Sequence, residues 1–524
     1  MFRCAIASPH EVATEAGAAA VRAGGNALDA ALATAAALTG PYPHRCSIGC
    51  VLFARVAAPG GSVTAFGASG AAPAATDVQG LLNRHGSMPV GGVETVTVPG
   101  TVSGWEALAS LGARRTLAEA LEEAIGLARD GVSVAPSLAN SIADHQSEIE
   151  TDPGMNSIFV RDGSLLSAGE TLSQPALARS LEAIAADGPS AFYRGGLGRD
   201  FAAGLASAGS AMTADDLAAH EPRFSEPLRG RFRGRDVMTS PPGSQGFAFL
   251  EILAALEVLE LSPGSGEEGL LARVFRLASI DRDRYLADPA FAEPDLESLL
   301  SEAHAEAIAE SARRGIEASP VPRERRPRPD GDTIAVVAVD SEGRAVSLIQ
   351  SVFHAFGARI LEPATGIVCQ NRGACFSLDP DSPNLIAPGK RPAHTLMPVL
   401  LRESDGQFSA HGTMGGRAQP QIHTQLLLRR LDGESPEAAV LAPRFVVGGL
   451  DAGSESEVIL AEPGLSAAAR ASLERSGIGV EEIGELDETV GHFQLATAIG
   501  GDLAVASDPR ADGSGLVVTR DGDR

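Results

Sequence analysis

Thr333 stands where two kinds of sequence meet. The stretch PRERRPRPDGDTIAVVAVDSEGRAVSLIQS (322–351) passes from a Pro/Arg-rich segment through Asp332 into an apolar run that starts at Thr333. A threonine hydroxyl is a poor nucleophile until a base takes its proton. If the chain is cut between Asp332 and Thr333, an α-amino group appears on the same residue, already placed to act as that base. Such an amine has a reference pKa of about 7.7–8, so a useful fraction is neutral near pH 7. A flexible approach segment followed by a rigid strand suits this chemistry. A plain loop entering a sheet is the other reading of the same junction.

The elements that must position Thr333 can be read around it. TIAVVAV, a DSEG turn and RAVSLIQSV predict a β-hairpin between two largely buried strands. Leu396–Leu401, Ser409–Thr413 and the terminal GLVVTR are further strand candidates, and Pro420–Leu431 a helix. In the first half, Glu11–Ala23 predicts a helix closed by Gly24-Gly25. Asn26 can cap the next helix, with Asp29 in its first turn. VLFARVA and SVTAFGA read as strands. Thr116 with Glu119 makes a capping box, and Phe247–Leu261 reads as a buried helix. These elements predict layered α and β structure, with central sheets covered by helices. The one break in composition is Glu317–Asp332, with four prolines and four arginines in Pro320–Pro329. It predicts an exposed linker.

Composition narrows the function. The chain has 524 residues, 44% of them hydrophobic, and a formal charge of -25. That charge disfavours nucleic acid and anionic membranes as partners, and an anionic substrate would need a local basic residue. Five cysteines, an odd number, predict free thiols in a reducing compartment. Neither a signal peptide nor a membrane-spanning run is evident, so a cytoplasmic protein is expected. Gly264, Gly266 and Gly269 spell a dinucleotide-type G-x-G-x-x-G, but after a helix rather than a strand. His44, Cys46 and Cys50 lack the second ligand pair that a structural zinc requires. No metal and no organic cofactor are expected.

The stretch from Thr333 to Ser347, with its DSEGRAVS turn, resembles the start of the small subunit in the gamma-glutamyltranspeptidase family. AGGNALDAALATAAAL, VPGTVSGWEAL, MTADDLAAHEP, SPPGSQG, DRYLADPAF, KRPAHTLMP and GTMGG resemble further family landmarks in the same order, covering nearly the whole chain. The resemblance implies an αββα four-layer N-terminal-nucleophile fold. It also implies self-cleavage between Asp332 and Thr333 into portions 1–332 and 333–524, held together as a heterodimer forming one catalytic domain. It makes Thr333 the nucleophile. Ser351 matches a second hydroxyl that hydrogen-bonds it, and Gly415-Gly416 matches the oxyanion-hole glycines. An ordinary strand serine and an ordinary tight turn are the plainer readings of these two sites.

The family's clamp for a glutamyl group is not kept. Its carboxylate-binding arginine is Ser69 here, and its ammonium-binding aspartate is Cys375. A strand asparagine is Phe353, a glutamine is Arg372, and a Ser-Ser pair is His394-Thr395. LIQSVFHAFG, GIVCQNRGACFSLDP and PGKRPAHTLMP resemble the branch containing oxamate amidohydrolase, which implies a small amide carrying a carboxylate. Arg372 could hold that carboxylate with two hydrogen bonds, or be a structural ion-pair partner. His394 could donate to substrate or simply be packed. A gamma-glutamyl hydrolase or transpeptidase with an altered clamp is the alternative, as is an inactive processed relative with a binding role.

Overall fold

Punctuation in the alanine-rich N-terminal sequence sets its helices. The computed structural model describes residues 1–261, 266–315, 332–448 and 458–520. Helix α1 (Glu11–Arg22) ends just before Gly24, whose φ is +103°. Helix α2 (Ala27–Ala37) starts on a reciprocal cap: Asn26 accepts from the Leu28 and Asp29 amides, and Asp29 accepts from the Asn26 N–H. Every residue of α2 is buried, which a helix of small side chains permits. Helix α3 (Thr101–Ser110) follows, then α4 (Leu117–Asp130), opened by the expected Thr116–Glu119 capping box. Downstream come α5 (Gly246–Leu259), α6 (Glu268–Tyr285), α7 (Glu302–Arg314) and α8 (Gln419–Leu431).

Two antiparallel sheets carry the site. The first part of the chain supplies β1 (Phe2–Ser8), β2 (Val51–Ala57), β3 (Val63–Ala68), β4 (Arg223–Ser225), β5 (Leu228–Phe232) and β6 (Arg235–Thr239). The second part supplies β7 (Asp332–Asp340), β8 (Ala345–Phe353), β9 (Val399–Arg402), β10 (Phe408–Thr413), β11 (Phe493–Ile499), β12 (Asp502–Ser507) and β13 (Ser514–Arg520). One sheet runs β13-β1-β7-β8-β2-β3-β4 and the other β12-β11-β10-β9-β6-β5. Both therefore mix strands from either side of Thr333. The β7–β8 hairpin turns as predicted, with Gly343 at φ +88° and Asp340 accepting from the Glu342 and Arg344 amides.

Alternation along β7 assigns its two faces. Ile334, Val336 and Ala338 join α2, α3 and α4 in one cluster, through Leu32, Trp105 and Leu121. Val337 and Val339 join Met238, Leu400, Phe408 and Ala410 of the other sheet. That sheet turns Val237, Val399 and Leu401 the other way, onto Phe249, Phe275 and Leu428 of α5, α6 and α8. The two sheets approach closely at Gly412, where a Cβ would lie 2.8 Å from that of Ala335.

Two boundaries next to the site differ from expectation. The strand expected over Leu396–Leu401 begins at Val399. Ahead of it, side chains satisfy the backbone instead of a ladder: Ser240 and Ser244 donate to the Leu396 carbonyl, and Gln419 accepts from the Met397 amide. Strand β7 begins at Asp332, one residue before Thr333. Of the linker expected over 317–332, residues 317–331 lie outside the described residues, as does Gly264. All five cysteines are free thiols. Among the described residues no helix is long and apolar enough to cross a membrane.

Candidate active site

The β7–β8 ladder is irregular at Thr333. Asp332 pairs with Phe353 and Ile334 with Gln350, so Thr333 alone faces both Ser351 and Val352. This bulge re-aims the side chains at the strand ends. Thr333 is 2% exposed, and its Oγ1 lies 3.0 Å from Ser351 Oγ. Ser351 Oγ also accepts the Phe353 N–H at 2.9 Å. Either hydroxyl of the Thr333–Ser351 pair can be the donor. The extra residue, Val352, is held from both sides: its N–H donates to the Arg45 carbonyl, and its carbonyl accepts from the Asn371 N–H. Phe353 takes φ +88° directly opposite Asp332. For a bulky residue that region is strained by about 1–3 kcal/mol.

Strand β10 leads from its contact with Ala335 to Gly415 and Gly416. Both take positive φ, +148° and +47°. At Gly415 a Cβ would fall 2.3 Å from Ile422 Cδ1. The turn is fixed by a residue that sequence reading did not single out. Gln245, fully buried, donates from Nε2 to the Gly416 carbonyl and to the Thr395 carbonyl, each at 2.8 Å. Its signal was its place in SPPGSQG, quoted only as a landmark. Gln245→Ala leaves two buried carbonyls without this donor, a loss of about 1–3 kcal/mol each. Gln245→Glu should be worse, since a carboxylate would face both. Chemical denaturation of the two variants checks the order.

Arg372 is fully buried. Its guanidinium lies 4.1 Å over the Phe353 ring. Nη1 donates to Thr395 Oγ1 at 3.2 Å and contacts Cys375 Sγ at 3.7 Å. Among the described residues Nε and Nη2 have no hydrogen-bond partner, and no carboxylate pairs with this arginine. The structural ion-pair reading of Arg372 therefore finds no support. Burial lowers its affinity for the proton, yet a guanidinium stays charged in proteins. The result is a desolvated cation with two nitrogens, Nε and Nη2, left to donate.

The substituted clamp positions meet one another. Ser69 Oγ hydrogen-bonds His394 Nε2, although the two lie far apart in sequence. The His394 ring packs 4.8 Å from Phe53, and its Nδ1 has no partner. Burial first, then the nearby charges of Arg372 and Arg391, holds its pKa well below the ordinary value, so the ring is neutral. His394 is thus packed, with one ring nitrogen still available. Thr333, Ser351 and Phe353 form one contact series, and Phe353, Arg372, Thr395, Gln245 and Gly416 continue it. Such a set offers a hydroxyl pair, a cation and a glycine turn, the parts needed to hold and cleave an amide bearing an anion. The possible metal-ligand cluster Glu251, Asp281 and His304 includes none of them.

The family model of gamma-glutamyltranspeptidase matches residues 13–518. The chain is 35% identical to the oxamate amidohydrolase proenzyme of Klebsiella pneumoniae, over 97% of each chain. It is also 35% identical to a glutathione hydrolase-like proenzyme of Bacillus subtilis, over 98% of each. Among solved structures, cephalosporin acylase from Bacillus halodurans superposes with a TM-score of 0.90 at 30% identity, covering 100% of this chain and 97% of that one. The mixed helix-and-sheet architecture, the landmark motifs and these matches agree: the chain belongs to the gamma-glutamyltranspeptidase family.

Proposed function

We propose that this chain is a proenzyme that cuts itself between Asp332 and Thr333, then hydrolyses a small carboxylate-bearing amide, oxamate-like, through a Thr333 acyl-enzyme. The observation that carries the substrate class is Arg372: a buried cation with two unpartnered nitrogens, linked through Phe353 to the Thr333–Ser351 hydroxyl pair. Fragments 1–332 and 333–524 would stay together, because each sheet contains strands from both, hydrogen-bonded to one another. The αββα layering is favoured by the three apolar clusters that link helices to each sheet and the sheets to one another. The proenzyme relatives favour the processing step.

In the mature enzyme Thr333 Oγ1 attacks the amide carbonyl while the Thr333 amine takes its proton. Ser351 orients that hydroxyl. The amides of Gly415 and Gly416 stabilise the tetrahedral oxyanion. The amine passes its proton to the leaving nitrogen, ammonia departs, and water releases the acid from Thr333. Arg372 holds the substrate carboxylate, and Thr395, Phe353, His394 and Cys375 line its surroundings. A screen of small amides for ammonia release tests the assignment. Oxamate-like amides should lead it, and a leading neutral amide would overturn the role of Arg372.

Gly416→Val should fold and be nearly inactive. A β-branched side chain is ill suited to φ +47°, and loss of one oxyanion donor lowers kcat by roughly 10²–10³. Steady-state kinetics on a sample whose chain is already cut at Thr333 measures this. Full activity would remove Gly416 from the mechanism.

A further inference from the structure

We propose that Glu251, Asp281 and His304 form a binding site for a borderline divalent cation of the zinc class, on the helices behind the glycine turn. The three residues come from three helices, α5, α6 and α7, and each offers one ligand atom within 4.8 Å of the others. His304 Nε2 lies 3.2 Å from Asp281 Oδ2 and 3.9 Å from Glu251 Oε1. Ligands about 2.0–2.2 Å from a tetrahedral zinc stand about 3.4 Å apart. The spacing therefore brackets what such an ion needs, with little side-chain movement.

Glu251 supplies an independent reason for a ligand. It is 1% exposed, and neither carboxylate oxygen accepts a hydrogen bond among the described residues. A buried carboxylate without a donor is strongly disfavoured and calls for compensation. A cation bridging to Asp281 would provide it, as would a proton on Glu251; the two differ in what a Glu251→Gln change does. One imidazole with two carboxylates favours zinc or its transition-metal neighbours over magnesium and calcium, which prefer all-oxygen sets. The side chains of Asp281 and His304 are 20% and 26% exposed, so they form a mouth through which an ion can enter. Three protein ligands leave a fourth position for water.

The position suggests what the ion holds. Helix α5 begins directly after Gln245, which fixes the Gly416 carbonyl. Helix α6 carries Arg282, next to Asp281, and Arg282 Nη1 donates to the Arg417 carbonyl at 2.8 Å. A cation joining α5, α6 and α7 would brace both supports of that turn. This inference stands whether or not Thr333 is the nucleophile.

The test uses the full-length protein, stripped with a chelator, dialysed, and titrated calorimetrically with zinc chloride, with magnesium and calcium chlorides in parallel. One Zn²⁺ per chain should bind, with a rise in Tm, and much more tightly than the other two ions. Loss of even a residue that supports a metal ligand weakens binding about 10–100-fold, so loss of a ligand should reach at least that range. Both Glu251→Gln, of equal size, and His304→Ala, at the exposed rim, should show it. Absence of saturable zinc binding in the stripped protein would overturn the proposal, as would unweakened binding in either variant. A Glu251→Gln protein with a raised Tm and full zinc affinity would identify Glu251 as a buried neutral acid instead.

Discussion

Thr333→Ala should remain a single chain of 53.7 kDa, whereas the unsubstituted protein should separate on a denaturing gel into about two thirds and one third of that mass, with Thr333 first in the smaller part. Before cleavage no α-amine exists at Thr333, so its hydroxyl must act with help from its surroundings. Oγ1 attacks the Asp332 carbonyl, the peptide C–N bond breaks, and the acyl group moves to oxygen. Water then hydrolyses that ester and leaves a free amine on Thr333. Ser351, 3.0 Å from the hydroxyl, is the side chain placed to orient it. The bulge and the strained Phe353 across from Asp332 disturb the ladder at the bond to be cut, where a regular ladder would hold it. Because the attack is intramolecular, its advantage is positional and depends on the fold. Thr333→Ser, which keeps the hydroxyl, should still be cut. N-terminal sequencing of the small fragment and intact mass of both variants decide the matter. Cleavage of Thr333→Ala at the same bond would mean that something other than Thr333 does the work.

Local signals in the sequence foretold local structure well. The DSEG turn, the Asn26 and Thr116 caps and the apolar run after Thr333 each encode their outcome within a few residues, and each appears as expected. The bulge left no such trace, because it depends on what captures Val352 from outside: the Arg45 carbonyl and the Asn371 amide. The start of β9 was misplaced for a related reason. Leu396 and Met397 have strand-like side chains, yet Ser240, Ser244 and Gln419 claim their backbone groups. The junction itself pointed to Thr333; family resemblance strengthened that reading and added Ser351 and the two glycines as expectations. It marked Ser69 and His394 only as departures, and the hydrogen bond between them shows that the two changes are physically linked. Gln245 is the plainest omission. Its two acceptors lie more than a hundred residues downstream, and no spacing rule reaches that far.

The selectivity of the enzyme should follow from Arg372. Among short amides, one with a carboxylate beside the scissile carbonyl should exceed its neutral analogue by roughly 10⁴–10⁵ in kcat/KM, the range seen when a site built to bind a polar group meets a substrate lacking it. The cause lies in the guanidinium: it is fully buried, and among the described residues its Nε and Nη2 have no partner, which a substrate carboxylate would supply. A gamma-glutamyl amide brings a carboxylate and also an ammonium. Ser69, which stands where the family's arginine does, is already bonded to His394. Cys375 lies 3.7 Å from the Arg372 guanidinium, so an ammonium there would meet a like charge and no carboxylate. Both charges of the glutamyl group would lose water without matched partners, and glutathione should be a poor substrate. Arg372→Ala should act mainly on KM for the carboxylate amides. Each hydrogen bond to a charged group contributes about 1.5–3 kcal/mol, so loss of the Nε and Nη2 bonds should raise KM by roughly 10²–10⁴-fold. Arg372→Lys should recover only part of it, since an ammonium cannot bind a carboxylate as a planar fork and stacks less well on Phe353. Efficient turnover of glutathione together with indifference to Arg372→Ala would instead place this protein among the glutathione hydrolases of its family, with a clamp built from other residues.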